Sequence, residues 1–170
     1  KGQIWVAGVE GDIACFRGGR WGVYSDNLRY GSLAHAKIRA LTASVRAPGV
    51  WVATTDGIFH LPELERNAIP LSTEGLGDFL IGGAVLLDTT DRLLIGTTAG
   101  LFSLSPTGTI EALFPIIIDS CRALAADADG VLWAAAGHKL VCIDGGAAKI
   151  VDALPSSEIR KVVTTQSRVW

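Results

Sequence analysis

The sequence contains no methionine, three cysteines and few aromatic residues, at 7% of its 170 positions. No unbroken apolar stretch approaches the roughly 20 residues that a membrane-spanning helix needs, although hydrophobic residues make up 49% of the chain. We therefore predict no membrane insertion. No basic segment followed by an apolar segment opens the chain, so no signal peptide is visible. The missing methionine and a start inside a repeated motif lead us to expect a processed or truncated piece of a longer product.

A strong excess of charge of either sign is also missing. The net charge is −2, and the lysines and arginines do not cluster. Because sequence-independent binding to phosphates requires a basic stripe, we predict no nucleic-acid partner. Cys15, Cys121 and Cys142 form no CxxC pair and are predicted to be free, buried thiols, with a disulfide or metal site as the alternative.

What the sequence does contain is an internal repeat. A short strand motif centred on tryptophan or leucine recurs with a spacing of roughly 40 residues, the period of a propeller blade built from short strands. These central residues, called anchor positions below, are Trp5, Trp51, Leu94, Trp133 and Trp170.

Each repeat contains three clear strand segments and one weaker, more polar segment. A glycine turn and a second apolar run follow the anchor, and another apolar run lies about ten residues before each later anchor. The weaker segments fall near residues 21–25, 67–71, 109–113 and 149–153. Four strands joined by short turns predict one antiparallel blade per repeat. No helix is predicted, because Pro62 and the repeat register place 61–68 in a turn.

The fold predicted is therefore all-β, a β-propeller of about four four-stranded antiparallel blades. We assign residues 1–170 to a single propeller domain or partial propeller. Its repeats span about 3–37, 38–82, 84–120 and 121–158, and residues 159–170 supply a closing inner strand. Residues 79–83 are expected to extend the inner strand that follows them. Pro115 excludes 114–118 from a central strand, so its isoleucines are expected under a loop or on an exposed patch.

The repeat resembles the propeller repeat of two-component regulator sensors. Residues 121–133 match that repeat's inner strand, its D-x-D-G turn and its LW pair, and residues 95–104 match its second half. The sequence departs from the pattern where Thr42 and Ala43 replace the turn aspartate, and where the third inner strand lacks an arginine. The resemblance implies a ligand-sensing propeller in the periplasm or outside the cell, often attached to a membrane sensor kinase. Nothing kinase-like is present in the sequence.

The number of blades in the ring stays open at this stage. Residues 159–165 could complete the blade begun by residues 3–8 and close a four-bladed ring, which would remove exposed sheet edges. The repeated anchor at Val169-Trp170 would then be redundant, which favours part of a ring of seven or eight blades. Two copies could also pair as a homodimer.

Three arginines share one register on the predicted inner strands: Arg39, Arg122 and Arg160. They would direct positive charge at the mouth of the channel, where a carboxylate or sulfate could bind. Asp119 and Glu158 stand beside them and complete the predicted ligand-binding set. The alternative is that each arginine only ties down a turn, for example Arg122 with Asp127 or Asp129.

Other constellations carry less chemistry. Trp5, Trp51 and Trp133 are expected to pack between blades rather than to stack on carbohydrate, whereas Trp21 lies outside the anchor register and is a surface candidate. Asp127–Gly130 lacks the further acidic ligands of a calcium loop. The three histidines show no metal-binding spacing, and we predict no metal, no cofactor and no catalytic residue.

We therefore predict a non-enzymatic module that binds or senses a small molecule, a carbohydrate or a protein partner. The first alternative is a propeller lyase or hydrolase, in which His35 or His138 would meet a carboxylate at the channel mouth. The second is a protein-interaction scaffold, which an exposed run at 114–118 would support.

Overall fold

A computed structural model describes most of the chain. The described residues are 2–8, 12–24, 36–44, 48–63, 68–72, 81–87, 92–105, 107–114, 118, 120–153, 158–165 and 168–169. Within these ranges all regular structure is β, arranged as antiparallel sheets of strands that follow one another in the sequence. The chain divides into two compact units, Lys1–Thr73 and Glu74–Trp170.

The first unit contains two sheets. β1 (Ile4–Ala7), β2 (Ile13–Arg17) and β3 (Arg20–Val23) form a three-stranded sheet in that order. β4 (Ile38–Ala43), β5 (Gly49–Thr54), β6 (Ile58–Pro62) and β7 (Ile69–Pro70) form a four-stranded sheet. Arg17 forms an ion pair with Glu63, and Tyr24 donates a hydrogen bond of 2.8 Å to the Glu63 carbonyl, so residues of the first sheet are joined to the end of β6.

The second unit contains two further four-stranded sheets. One is built from β8 (Ile81–Leu87), β9 (Leu93–Thr97), β10 (Gly100–Leu104) and β11 (Ile110–Leu113). The other is built from β12 (Ala123–Ala126), β13 (Leu132–Ala136), β14 (Lys139–Asp144) and β15 (Ala147–Ala153). A short pair, β16 (Thr164–Thr165) with β17 (Arg168–Val169), begins a fifth sheet.

Every sheet has two different faces, which follow from the alternation of side chains along a strand. We call the side that carries the anchor residue the anchor face. In the first sheet Trp5 lies opposite Cys15, and in the fourth Trp133 lies opposite Cys142. The residues immediately before and after the anchor point to the opposite side, which we call the flank face.

The cores form where an anchor face meets the flank face of the sheet that follows it. In the first unit Ile13 and Trp5 on the first anchor face pack with Val50, Val52 and Phe59 on the second flank face. In the second unit Leu94 and Leu101 pack in the same way against the flank face of the fourth sheet, which presents Leu132, Ala134 and Val141. Two of the predicted anchors, Trp5 and Leu94, therefore act as packing positions between sheets.

The predicted strands agree closely with the observed ones, including the weak outer strands and the extension of the third inner strand to Ile81. Three differences stand out. The fourth inner strand begins at Ala123 rather than at Cys121, the first sheet has three strands, and 158–163 form no strand although one was expected from Ile159. The single-domain assignment and the repeat boundaries stay predictions.

The run at 114–118 does not present an exposed patch at its two described ends. Ile118 is buried in the core of the second unit, and Phe114 packs against that core with a positive φ of 50°. Residues 115–117 lie outside the described part of the chain. The support that this run would have given to a protein-interaction scaffold is therefore missing at Phe114 and Ile118.

Candidate functional site

Two of the five predicted ligand-binding residues meet in the structure. Arg122 lies directly before β12, and Glu158 opens the segment that follows the fourth sheet. The Arg122 Nη1 atom is 3.2 Å from the Glu158 Oε2 atom. Both side chains are about half exposed, at 50% and 54%. An ion pair between the beginning and the end of the fourth repeat thus stands at the surface with open access to solvent.

Backbone hydrogen bonds to the end of β13 hold both partners in place. The amide of Arg122 donates to the carbonyl of Ala135 at 3.1 Å, and the amide of Ile159 donates to the carbonyl of Gly137 at 2.9 Å. Gly137 begins the turn between β13 and β14, and the exposed His138 follows it. The ion pair is therefore anchored beside this hairpin tip, at the end of the sheet where the inner strand begins.

The remaining predicted site residues are distributed as follows. Arg39 is exposed on β4 in the first unit, and Arg160 is exposed two residues after Glu158. Asp119 and His35 lie outside the described residues. The predicted set of three arginines acting on one ligand stays a prediction, as does the alternative that His138 or His35 meets a catalytic acid.

Asp127 has a different role from the one considered for it as a partner of Arg122. Its Oδ1 atom accepts hydrogen bonds from the amides of Asp129 at 3.1 Å and Val131 at 2.9 Å. Its Oδ2 atom accepts one from Trp133 Nε1 at 3.2 Å. The hydrogen bond from Trp133, followed by those from the turn amides, lowers the pKa of the Asp127 carboxyl. Asp127 thus organises its own turn and leaves Arg122 to Glu158.

Two anchor tryptophans pack against buried clusters, and a third stacks within its own sheet. Trp5 and Trp133 contact buried clusters, and Trp5 stacks on Tyr24 with ring centroids 5.2 Å apart. Trp51 stacks on His60 at 4.8 Å. Trp21, by contrast, is 57% exposed beside Phe16, in agreement with its position outside the anchor register.

The three cysteines are free thiols, and Cys15 and Cys121 are buried as predicted. Cys142, which lies on the fourth anchor face, is only half-buried. Burial raises the pKa of the Cys121 thiol to about 12. A thiol that stays protonated is a poor nucleophile, so the local environment makes Cys121 chemically inert at neutral pH.

No group of three or more histidine, cysteine, aspartate or glutamate side chains converges on a possible metal position within the described ranges. Nor does that part of the chain contain a helix long and apolar enough to cross a bilayer.

The sequence singled out Arg122 and Glu158 as candidates but did not predict that both would lie beside the hairpin tip at Gly137. The repeat register placed both residues near inner strands, whereas the contact between Ile159 and Gly137 depends on how consecutive repeats pack. The signal for this tip in the sequence is Gly137, because glycine readily adopts the positive φ, here 62°, that the turn requires.

Known proteins of similar structure identify the fold class of this architecture. No protein-family model matches the sequence, and no curated protein matches it. Among solved structures, an extracellular domain of a hybrid two-component system of B. thetaiotaomicron is similar, with a TM-score of 0.78 and 17% identity. The match covers 99% of this chain and 24% of that one.

Two proteins of other kinds are also similar. A chain of a nidogen/laminin complex gives a TM-score of 0.72 at 13% identity, covering 95% of this chain and 65% of its own length. YCF48 bound to a D1 peptide gives 0.67 at 14% identity, covering 94% and 54%. At these identities the likeness establishes the fold alone. The predicted β-propeller is confirmed, and the resemblance to two-component sensor propellers holds at the level of the fold.

Proposed function

We propose that this chain is a ligand-binding or sensing part of a β-propeller, spanning about a quarter of the length of the sensor domains that it resembles. The ligand binds at the end of the sheets where the inner strands begin, and Arg122 supplies its main polar contact. The observation that supports this proposal is the half-exposed ion pair between Arg122 and Glu158, fixed beside the Gly137 turn.

The chemistry of the pair favours an anionic ligand group. A guanidinium carries five N–H donors in a planar fork, and a single contact to Glu158 leaves donors available for a carboxylate or sulfate. Glu158 orients the fork and also offers an acceptor for a ligand hydroxyl. A sugar acid or a sulfated sugar combines both groups, so it is the class of small molecule that best fits the site.

The pair is poorly suited to a purely structural role. Exposed ion pairs contribute about 0–1 kcal/mol to stability, because water screens them and both side chains lose conformational freedom. The turn that Arg122 was considered to tie down is stabilised by Asp127 instead. A purely structural role for Arg122 therefore has little support. A ligand-binding role, by contrast, requires the exposure that its side chain has.

Arg39, Arg160 and Asp119 belong to the same proposal through their repeat positions. Arg39 and Arg160 hold the register position of Arg122 in their own repeats, and both are exposed. Arg160 could contact a further part of an extended ligand, whereas Arg39 would act within its own unit and Asp119 is a candidate from the sequence alone. The similarity to extracellular sensor domains supports placing the protein outside the cytoplasm, where such a ligand would be met.

The proposal is tested by titrating the protein with glucuronate, glucose 6-sulfate and glucose, following amide chemical shifts by NMR. We expect the two anionic sugars to shift the amides of 122, 137–138 and 158–160. Arg122→Gln should weaken their binding about tenfold or more, because one charge-assisted hydrogen bond contributes about 1.5–3 kcal/mol. The free energy of unfolding should change by less than about 1 kcal/mol.

Arg20→Gln is the matched control, since Arg20 is an exposed arginine on β3. It should bind the probes as tightly as the unsubstituted protein. Equal weakening by both substitutions would reduce the effect to general charge. Shifts confined to residues away from 122 and 158, or no shifts with any of the three probes, would contradict the proposed site.

A further inference from the structure

His138 stands at the hairpin tip beside the proposed ligand site. It is the second residue of a two-residue turn between Ala136 and Lys139, the last facing pair of β13 and β14. Gly137 has a φ of 62° and His138 a negative φ, as in a type II′ turn. This turn type requires glycine at its first position and no particular side chain at its second. The imidazole is therefore not needed for the turn itself.

One hydrogen bond joins the peptide groups next to His138 and Glu158. The amide of Ile159 donates to the carbonyl of Gly137 at 2.9 Å. That carbonyl belongs to the peptide that leads into His138, and that amide belongs to the peptide that follows Glu158. The two residues therefore approach each other as residues on neighbouring strands do, with Cα atoms about 5 Å apart. Both side chains are exposed, so a ligand group that reaches Glu158 also comes within reach of the imidazole.

Arg122 meets the same carboxylate from the side of the inner strand. Its Nη1 atom is 3.2 Å from the Glu158 Oε2 atom, and its amide is bonded to the carbonyl of Ala135, two residues before Gly137. The guanidinium and the imidazole thus stand on two elements that both contact the beginning of the 158–161 segment. An anion that binds to the remaining donors of the guanidinium lies next to the hairpin tip.

The charged groups on the elements that meet at this tip are mostly positive. They are Lys139 on β14, Arg122 before β12, and Glu158, Arg160 and Lys161 on the segment after the fourth sheet. The negative charge of Glu158 is matched by its ion pair with Arg122. The other groups attract an anion, and a bound anion in turn favours a positive charge on the imidazole beside it.

We propose that His138 is a further contact for the anionic ligand group and that it makes binding depend on pH. This inference rests on the proposed function, since it concerns the ligand that Arg122 binds. A histidine gains a positive charge as the pH falls from about 8 to about 5, and both ring nitrogens are then donors. The charged ring adds a charge-assisted hydrogen bond to the anion. The coupling is reciprocal: acid tightens ligand binding, and bound ligand favours the protonated ring.

The test is the affinity for glucose 6-sulfate at about pH 5.5 and about pH 7.5, on either side of the usual titration of histidine. The sulfate ester keeps its negative charge throughout, so a change in affinity comes from the protein. We expect binding about three- to tenfold tighter at the lower pH. Uncharged glucose, the ligand control, should show no such dependence.

Two substitutions of His138 separate its charge from its size. His138→Gln keeps a hydrogen-bond donor but cannot gain a charge, so it should bind glucose 6-sulfate equally and weakly at both pH values. His138→Lys is charged at both values and should bind at both as tightly as the unsubstituted protein does in acid. Glu158→Gln is the control for the neighbouring carboxylate, and it should retain the pH dependence because the titrating group is the imidazole.

The imidazole itself can be followed by NMR through its Hε1 resonance. Saturating glucose 6-sulfate should move the midpoint of its titration upward by about 0.5–1 pH unit, because a tenfold change in affinity corresponds to one unit. A role confined to the structure of the turn would leave this midpoint unchanged by the ligand.

Three results would overturn the inference, and they differ in what they leave standing. Equal affinity at both pH values in the unsubstituted protein, or a pH dependence that survives in His138→Gln, would remove the role of His138. The site at Arg122 would remain in both cases, provided that Arg122→Gln still weakens binding. No binding of glucose 6-sulfate at either pH would overturn the site and the inference together.

Discussion

Asp127 shows how one carboxylate can organise a turn. It receives two backbone amides and the indole of Trp133, and the resulting fall in its pKa couples the turn to pH. A carboxyl whose pKa is lower in the folded state stabilises the protein above its unfolded pKa. That contribution disappears as the pH falls through the lowered folded value.

For Asp127→Asn we expect a lower urea midpoint at neutral pH than for the unsubstituted protein. The difference should be complete above the ordinary pKa of 3.8 and should close as the medium is acidified further. The measurement is urea unfolding followed by tryptophan fluorescence at several pH values. Asp129→Asn is the control, because the amide of Asp129 and not its carboxylate takes part in the turn. A difference that does not depend on pH would show that the charge of Asp127 is irrelevant.

Gly49 opens β5 at a point where two backbones approach closely. Its φ is 147°, and a Cβ atom there would lie 2.3 Å from the carbonyl oxygen of Leu61. An alanine must therefore displace the β6 backbone in addition to adopting an unfavourable conformation.

Gly49→Ala should lower the free energy of unfolding by about 3 kcal/mol or more. Gly146→Ala separates the two contributions, because Gly146 has a φ of 84° but no atom within 4 Å of a built Cβ. That substitution should lower it by only about 1 kcal/mol. Denaturant titration of both variants measures the comparison, and equal losses would exclude the close approach as the cause.

At the scale of the element, two hairpins share one device. The Thr97 hydroxyl donates to the Gly100 carbonyl at 3.0 Å and accepts the Ala99 amide at 3.1 Å. Thr54 makes the equivalent bonds with Gly57 and Asp56, both at 3.0 Å. Each threonine is fully buried, so its hydroxyl satisfies backbone groups at the tip of the hairpin.

Thr97→Val keeps the size and branching of the side chain but removes both bonds. We expect a loss of about 1–3 kcal/mol in the free energy of unfolding, because a donor and an acceptor are left without their partner. Thr107→Val, at an exposed turn position, should stay within about 0.5 kcal/mol. Thermal and urea unfolding of the two variants measure the difference, and a near-neutral Thr97→Val would show that water replaces the hydroxyl.

The strand pattern was predictable because it depends on local sequence. Alternation of apolar residues and the glycine turns located the strands well, as at Gly100, where the turn ends and β10 begins. The exception is 158–163, whose composition is that of a strand. A strand also requires a partner, and the partner is a property of packing that no window of sequence contains.

At the scale of the molecule, the repeat period indicated the fold, since four similar repeats of short β-strands have few ways to bury their apolar faces. The candidate site was only partly predictable. The shared register singled out Arg122 and named Glu158 beside it, but their 3.2 Å contact depends on how the end of the fourth repeat packs against its beginning. The sequence also did not show that Asp127 would accept hydrogen bonds from its own turn instead of pairing with Arg122. That arrangement depends on Trp133 lying close enough to donate to the Asp127 carboxylate.

The unlike faces of each sheet have a consequence for the history of such proteins. Since an anchor face meets a flank face both between the first and second sheets and between the third and fourth, a gene segment encoding one such repeat can be duplicated or deleted without a new kind of contact. Lineages built on this pattern can therefore gain or lose whole repeats in a single genetic event. The number of repeats should vary more readily among relatives than the residues at the contacts between repeats.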